Sequence, residues 1–362
     1  MDDKPSTAHN AQYDIGVVGA GPGGMLAAIA LAQTGAEVGI WDPRKSSHTT
    51  HTAPITLRPS SKTLLETLGV WDRLGNSPRR IRSLRIGHSD HFGSIRFNSQ
   101  DLGVDGLAYV VNTDQLADAL QKELQARAVT WHQNSIVHRV NQNSQGFHAQ
   151  YQQAGQEAEM QVKRLVICDG VDSKIAESLR IEKQVSCRSF TSTIFDIQCD
   201  TWARDEAWQI FAREGVIGMI PGKNSNAGTI VVTTDGEEEV AAEAIIERLR
   251  SRVGAIQKMQ FLGKQASKLQ FRKTPPKKGA IILGNARLSM PPLGAQSSNT
   301  TVSEVAALMT QQARVPWQGL SGEAWQKWWV INRDKQAEGR LKLMQSLWDY
   351  QVERDTCHRF LS

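Results

Sequence analysis

The chain has 362 residues, 40% of them hydrophobic and 22% charged, with a formal net charge of +5. That is the balance of a globular protein with one large or two interlocked cores, and it excludes a disordered or fibrous chain. The positive excess is small and dispersed. It favours anionic small molecules or a lipid surface, and with no Lys/Arg run, zinc-finger spacing or aromatic RNA-binding motif it argues against nucleic acid as a partner.

The elements read as follows in chain order. Met1 to Asn10 is polar and lacks a secretory pattern. Tyr13 to Val18 is a short buried strand, Gly19 to Gly24 a glycine turn, and Met25 to Gln33 an Ala/Leu-rich helix ended by Gly35. Gly and Pro interrupt the apolar stretch from Ile15 to Ala32, so it is no membrane span. Glu37 to Trp41 is a second strand, closed by Asp42; strand, turn, helix and strand open a parallel α/β sheet. Ser60 to Leu74 is helical and Ile81 to Phe97 strand-forming. Thr113 caps a helix to Arg127 that repeats Leu116, Leu120 and Leu124. Thr130 to Val162 is a β-meander, and Arg164 to Cys168 a buried strand leading into Asp169-Gly170. Lys183 to Phe271 is strand-rich, with Ser192–Cys199, Trp208–Ala212, Val216–Ile220 and Thr229–Thr234 as strands and Val240–Val253 as a helix. Ala280 to Leu283 is a last short strand before Gly284-Asn285, and Glu323 to Gln351 is helical.

Gly19, Gly21 and Gly24 have GxGxxG spacing, directly after a strand and before a helix. The first glycine permits the tight turn, the second lets backbone approach a pyrophosphate, and the third lets helix and strand pack closely. The helix N-terminus then offers free N–H groups and the positive end of its dipole to phosphates. Asp42, 18 residues after Gly24, ends the second strand, where its carboxylate can accept from an adenosine ribose.

Two later segments carry a resemblance: Leu165 to Ser173, with Asp169-Gly170, and Ile281 to Ala286, with Gly284-Asn285, followed by Pro291-Pro292 and Gln296 to Asn299. With the first motif, and with Ile55 to Leu74, Tyr109 to Val111 and Phe211 to Pro221, they resemble the flavoprotein aromatic monooxygenases, and most of all the ubiquinone-biosynthesis hydroxylases. The resemblance runs from Tyr13 to about Tyr350. It implies a Rossmann-like FAD-binding domain of the glutathione-reductase type, with an inserted β-sheet substrate domain and C-terminal helices. The cofactor part is expected over residues 11–76, 111–182 and 273–362, and the substrate part over 77–110 and 183–272. The implied FAD contacts are Gly19, Gly21, Pro22, Gly24, Asp42, Asp169, Gly284, Asn285, Gln296 and Asn299. The implied chemistry is reduction of FAD by NADH or NADPH, reaction with O2 to a C4a-hydroperoxide, and hydroxylation of a phenolic, polyprenylated quinone precursor. No protein nucleophile or metal is required.

The sequence departs from the family pattern on the flavin side. Ala53 and Thr113 stand where the family has arginines, Arg287 follows the Gly-Asn pair, and Ala295-Gln296-Ser297-Ser298-Asn299 replaces a glycine-containing loop. Two other readings therefore stand beside the hydroxylase: a catalytically impaired relative serving as a structural subunit of a quinone-biosynthesis complex, and a flavin-dependent reductase of the same fold. Polyprenyl substrates imply a peripheral place at the inner membrane for an otherwise cytoplasmic protein. The C-terminal tryptophans Trp317, Trp325, Trp328, Trp329 and Trp348, with Arg340 and Lys342, either cover the substrate domain or meet a membrane or partner surface. Cys168, Cys187, Cys199 and Cys357 form no CxxC pair, as in a reducing compartment. His48 and His51 read as parts of a solvated loop, Lys277-Lys278 as a solvated turn and Cys168 as a buried strand residue.

Overall fold

The computed structural model describes residues 10–45, 53–89, 93–212, 215–236, 241–273, 277–292, 294, 296–314, 321–329, 339, 340 and 342. The first sheet forms around β1 (Asn10–Val18), which pairs in parallel with β2 (Val38–Trp41). Both are apolar runs buried on two faces, as expected of central parallel strands. Between them lies α1 (Pro22–Ala32), begun by a proline at its first turn and buried almost throughout. It starts three residues earlier than the sequence reading, because Pro22, Gly23 and Gly24 are already helical.

Strand β3 (Ile55–Leu57) leads into α2 (Pro59–Thr67). The expected helix to Leu74 breaks at Gly69, whose φ of +75° is left-handed, and resumes only as a single 3-10 turn at Asp72–Leu74. Strands β4 (Arg79–Ile81), β5 (Ser83–His88), β6 (Ser94–Asn98) and β7 (Ala108–Val111) follow. Helix α3 (Thr113–Ala126) is capped by Asn112, not Thr113: the Asn112 Oδ1 accepts from the N–H groups of Asp114 and Gln115.

Strands β8 (Thr130–His132), β9 (Ser135–Asn143), β10 (Gly146–Gln153) and β11 (Gln156–Ile167) complete most of the first sheet. The meander's last strand and the separate strand expected at Arg164 are one element, β11. Its residues from Glu159 to Ile167 pair with β1, while its other edge meets β10 and then β17 (Ala280–Ile282). Helix α4 (Lys174–Ser178) follows β11.

The second sheet is built from β12 (Lys183–Cys199), β13 (Glu206–Ala212), β14 (Gly215–Pro221), β15 (Ala227–Asp235), β16 (Ile256–Arg272) and β18 (Leu288–Ser289), in the order β18-β16-β12-β15-β14-β13-β5-β6. Phe195, Ile197 and Cys199 of β12 pack against Ile245 and Leu249 of α5 (Ala242–Val253) on one face. By the period of two, Ser192, Ile194, Asp196 and Gln198 point to the other. A small sheet, β3-β7-β4, joins the two large ones. Helix α6 (Gln296–Arg314) packs on α1, and α7 (Gly322–Trp329) ends the described C-terminal region. No helix among the described residues is long and apolar enough to cross a membrane. His48, His51, Trp317, Trp348 and Cys357, and the side chains of Trp325, Trp328, Trp329 and Cys187, lie outside the described residues.

The buried carboxylate of Glu123 clamps α3 to the chain before β4. It accepts from Arg73 Nε at 2.6 Å and from Arg127 Nε at 2.7 Å. Burial alone would raise its pKa, but the two arginines outweigh that and hold it below the ordinary value. Glu123→Gln leaves two partly buried guanidinium groups without their counter-charge. It should lower the unfolding free energy by about 1–3 kcal/mol, read from the urea midpoint at neutral pH.

Candidate active site

The glycine turn is held by contacts that no side chain could share. Gly19 has φ +102°, and a Cβ there would collide with the Cys168 carbonyl; a Cβ on Gly24 would collide with the Gly19 carbonyl. At Gly21 an added Cβ would meet nothing within 4 Å. So Gly19 and Gly24 press α1 against β1 and β11, while Gly21 faces open space. Gly21 is the N-cap of α1 and supplies no capping side chain. The helix start therefore presents its free N–H groups and dipole end to that space, which fits a bound diphosphate.

Asp42 is 3% exposed beside this turn. Its Oδ2 accepts from Ala20 N at 2.6 Å and Arg44 Nη2 at 2.9 Å, and its Oδ1 from Arg44 N at 2.9 Å and Arg44 Nε at 2.7 Å. A carboxylate has about four acceptor positions, so all are engaged within the protein. Asp42 thereby fixes Arg44, two residues on, beside the turn. Burial would raise the Asp42 pKa, but the hydrogen bonds from Arg44 and Ala20 prevail and lower it.

Asp169 ends β11, and its Oδ1 is buried without a partner. Burial pushes its carboxyl up, with partial relief from Ser173 and the Ile175 amide. Arg272, 1% exposed, donates from Nη1 to the carbonyls of Val171 at 2.9 Å and Ala286 at 2.8 Å. It thereby ties the Asp-Gly segment to the turn at Gly284. Nothing in the sequence marked it, since the bond is made across 101 residues.

Gly284 donates its N–H to Glu304 Oε2 at 2.8 Å, and Glu304 Oε1 accepts from Arg287 Nη1 at 2.7 Å in a fully buried pair. Arg287 thus belongs to the scaffold beneath the turn and not to the flavin side. Asn285 is exposed and accepts from the Ser297 hydroxyl at 2.9 Å. Asn299 is buried: its Oδ1 accepts from Arg58 N at 2.9 Å and Ser61 Oγ at 2.7 Å, and its Nδ2 donates to Thr56 O at 2.8 Å. Gln296 Oε1 accepts from Arg58 Nη2. These two residues fasten α6 to β3 and α2.

A cavity of about 1120 Å³ opens beside these elements. Pro22, Arg58, Asn285 and Asn299 border it on the first-sheet side, and Val171 and Asp172 line it in place of Asp169. Ala53, Thr113 and Ser297 line it too, so three of the four departures from the family pattern lie on its wall. Thr113 donates its hydroxyl to the Ala53 carbonyl at 3.0 Å. The opposite wall is the second sheet, where Ile194, Ala207, Ile220 and Val231 give an apolar surface.

A family model described as an FAD binding domain matches residues 12–326. The uncharacterized protein slr1300 of Synechocystis is 24% identical over 341 residues, 89% of this chain and 80% of that protein. The human mitochondrial ubiquinone biosynthesis monooxygenase COQ6 is 23% identical over 258 residues, 64% of this chain and 53% of that protein. The fold matches that of aklavinone-11 hydroxylase, solved with FAD and aklavinone. The TM-score is 0.68 at 19% identity, over 87% of this chain and 63% of that one.

Two outcomes follow from this geometry. Gly24→Val should abolish retention of FAD, because the new side chain must push α1 off the Gly19 carbonyl; the flavin content after gel filtration checks it. Asp42 has a lowered pKa, so its stabilising effect is complete above the ordinary carboxylate value and is lost as pH falls through the lower, folded value. Melting temperatures of wild type and Asp42→Asn should therefore differ by a constant amount above about pH 5 and converge below it.

Proposed function

The chain belongs to the FAD-binding-domain family and has the fold of the flavin-dependent hydroxylases; from that premise we propose that it hydroxylates an electron-rich phenolic ring, with NADH or NADPH as reductant and O2 as co-substrate. The observation that carries this reading is the single cavity that joins the uncapped start of α1 to an apolar wall of the second sheet. One end suits a flavin anchored through its diphosphate, and the other suits a flat apolar ring.

When bound, FAD would accept hydride from the reduced nicotinamide and activate O2 for transfer of one oxygen atom. The protein's part is to bind, orient and exclude water. Gly19, Gly21, Pro22 and Gly24 would hold the diphosphate through backbone N–H groups and the helix dipole. Arg44, fixed by Asp42, would meet the adenosine side. Gly284 and Asn285 would face the ribityl chain, with Asp169, Gln296 and Asn299 setting the backbone around it. Ile194, Ile220 and Val231 would orient the ring against the flavin and keep water from it. Their apolar character suits a substrate with a hydrophobic substituent, and the partial likeness to COQ6 supports a polyprenylated quinone precursor. Such a substrate would bring the protein to the face of a membrane.

The purified protein, or apoprotein reconstituted with FAD, should be yellow, absorbing near ~450 nm. It should oxidise NADH or NADPH with O2 uptake that rises when a phenol is added. Ile220→Trp fills the ring end of the cavity and should cut phenol-stimulated turnover by about tenfold or more with FAD content unchanged. A colourless protein that cannot take up FAD would sink this reading in favour of a structural subunit. O2 uptake indifferent to every phenol would favour a reductase.

A further inference from the structure

A second cavity, of about 450 Å³, lies end to end with the first along the same face of the second sheet. Along β12, Ser192 and Ile194 line the larger cavity and Asp196 and Gln198 the smaller, and Pro54 lines both. The chemistry changes across that boundary from apolar to polar and cationic.

Arg79 stands in the wall of the smaller cavity, on β4 opposite Val110 of β7. Its neighbour Arg80 pairs with Asp105 at 2.8 Å on the other face. The Arg79 guanidinium has no hydrogen bond or ion pair among the described residues, and its Nε is buried without a partner. The hydroxyl of Ser77, two residues earlier, is likewise buried without a partner and lines the same cavity. Burial of a guanidinium is costly, and here it pushes the Arg79 pKa down, with the charge of Asp196 in partial opposition. Lys223 and Lys258, both exposed, add two further cations to the rim. The one carboxylate in the wall, Asp196, accepts from the Thr229 hydroxyl across the strand pair at 2.7 Å and does not reach Arg79 as an ion pair. Three cations thus face one carboxylate already engaged, around two unsatisfied buried donors.

We propose that this smaller cavity is an oxyanion subsite, in which Arg79 and Ser77 bind a carboxylate or phosphate of a small molecule and Lys223 and Lys258 draw it in. The anion comes either from the far end of the substrate, passing Pro54, or from a separate molecule. Only the first source rests on the hydroxylase reading; the subsite itself does not.

The test is titration calorimetry of the FAD-reconstituted protein at low salt with inorganic phosphate and with benzoate, for wild type, Arg79→Gln and Arg79→Lys. Wild type should bind at least one probe, more weakly as NaCl is raised. Arg79→Gln should weaken binding tenfold or more, and Arg79→Lys should restore part of it, since it keeps the charge and loses the planar fork. Without a probe, Arg79→Gln should melt no lower than wild type, because it removes a buried charge that lacks a partner; this also shows that the variant folds. Equal binding by wild type and Arg79→Gln, or no binding of either probe by wild type, overturns the proposal. 4-Hydroxybenzoate, followed by the flavin spectrum, separates the sources. Competition by phosphate assigns the anion to the substrate, and a flavin response that phosphate leaves unchanged assigns it to a separate molecule. If the protein takes up no flavin, the hydroxylase reading fails, while the phosphate and benzoate titrations still decide the subsite.

Discussion

The contact between the Gly19 carbonyl and the α-carbon of Gly24 is the constraint on which the rest of the molecule is arranged. It brings the start of α1 onto the ends of β1 and β11 with no room for a side chain. The first-turn N–H groups are left uncapped and pointed at the space beside Gly21. A capping side chain there would satisfy the helix and close that space; its absence is tolerable because a diphosphate offers the same hydrogen bonds together with charge. Asp42 then fixes the outer side of the turn by holding Ala20 N and Arg44 at once.

The other backbone segments at the site are positioned by buried polar groups far apart in sequence. Glu304 of α6 holds Gly284 and Arg287, Arg272 of β16 holds Val171 and Ala286, and Asn299 holds Thr56, Arg58 and Ser61. Each is a multidentate group whose loss would strand more than one buried partner. Several residues that motif reasoning assigns to the cofactor thus also hold the scaffold of the site. It also changes the meaning of the departures. Arg287 is the partner of Glu304, whereas Ala53 and Thr113 put small residues on a cavity wall where the family has arginines.

What could be read in the sequence is what depends on short spacing. The first strand, glycine turn, helix and second strand follow from local periodicity and from the three glycines, and the alternation of β12 to β16 marks a second, strand-rich layer. Errors arose where one residue outweighs a pattern: Gly69 breaks the helix expected to run to Leu74, and Asn112 captures the cap expected at Thr113. Arg44, Arg58, Arg272 and Glu304 were not legible as site residues. Their roles lie in partners up to 241 residues away, as with Arg58 and Asn299, and no periodicity encodes such pairings. The exception is Arg44, whose place two residues after Asp42 was a usable signal.

The two ends of the site are specified by different means. At the first sheet, recognition is by backbone N–H groups and helix dipole, which almost any sequence can supply once the glycines are in place. At the second sheet it is by side chains that alternate along β12, β14 and β15. One face must serve the α5 core through Phe195, Ile197 and Cys199, and the other is free to vary. Replacing one residue on that free face alters the cavity without touching the core, because the period of two keeps the faces separate. The change from Ile194 to Asp196 in a single step of the strand is such a case: it passes from apolar to charged wall with no interruption of pairing to β15. On the hydroxylase reading, substrate choice would therefore be set where substitution costs the fold least, and cofactor binding where the backbone admits almost none.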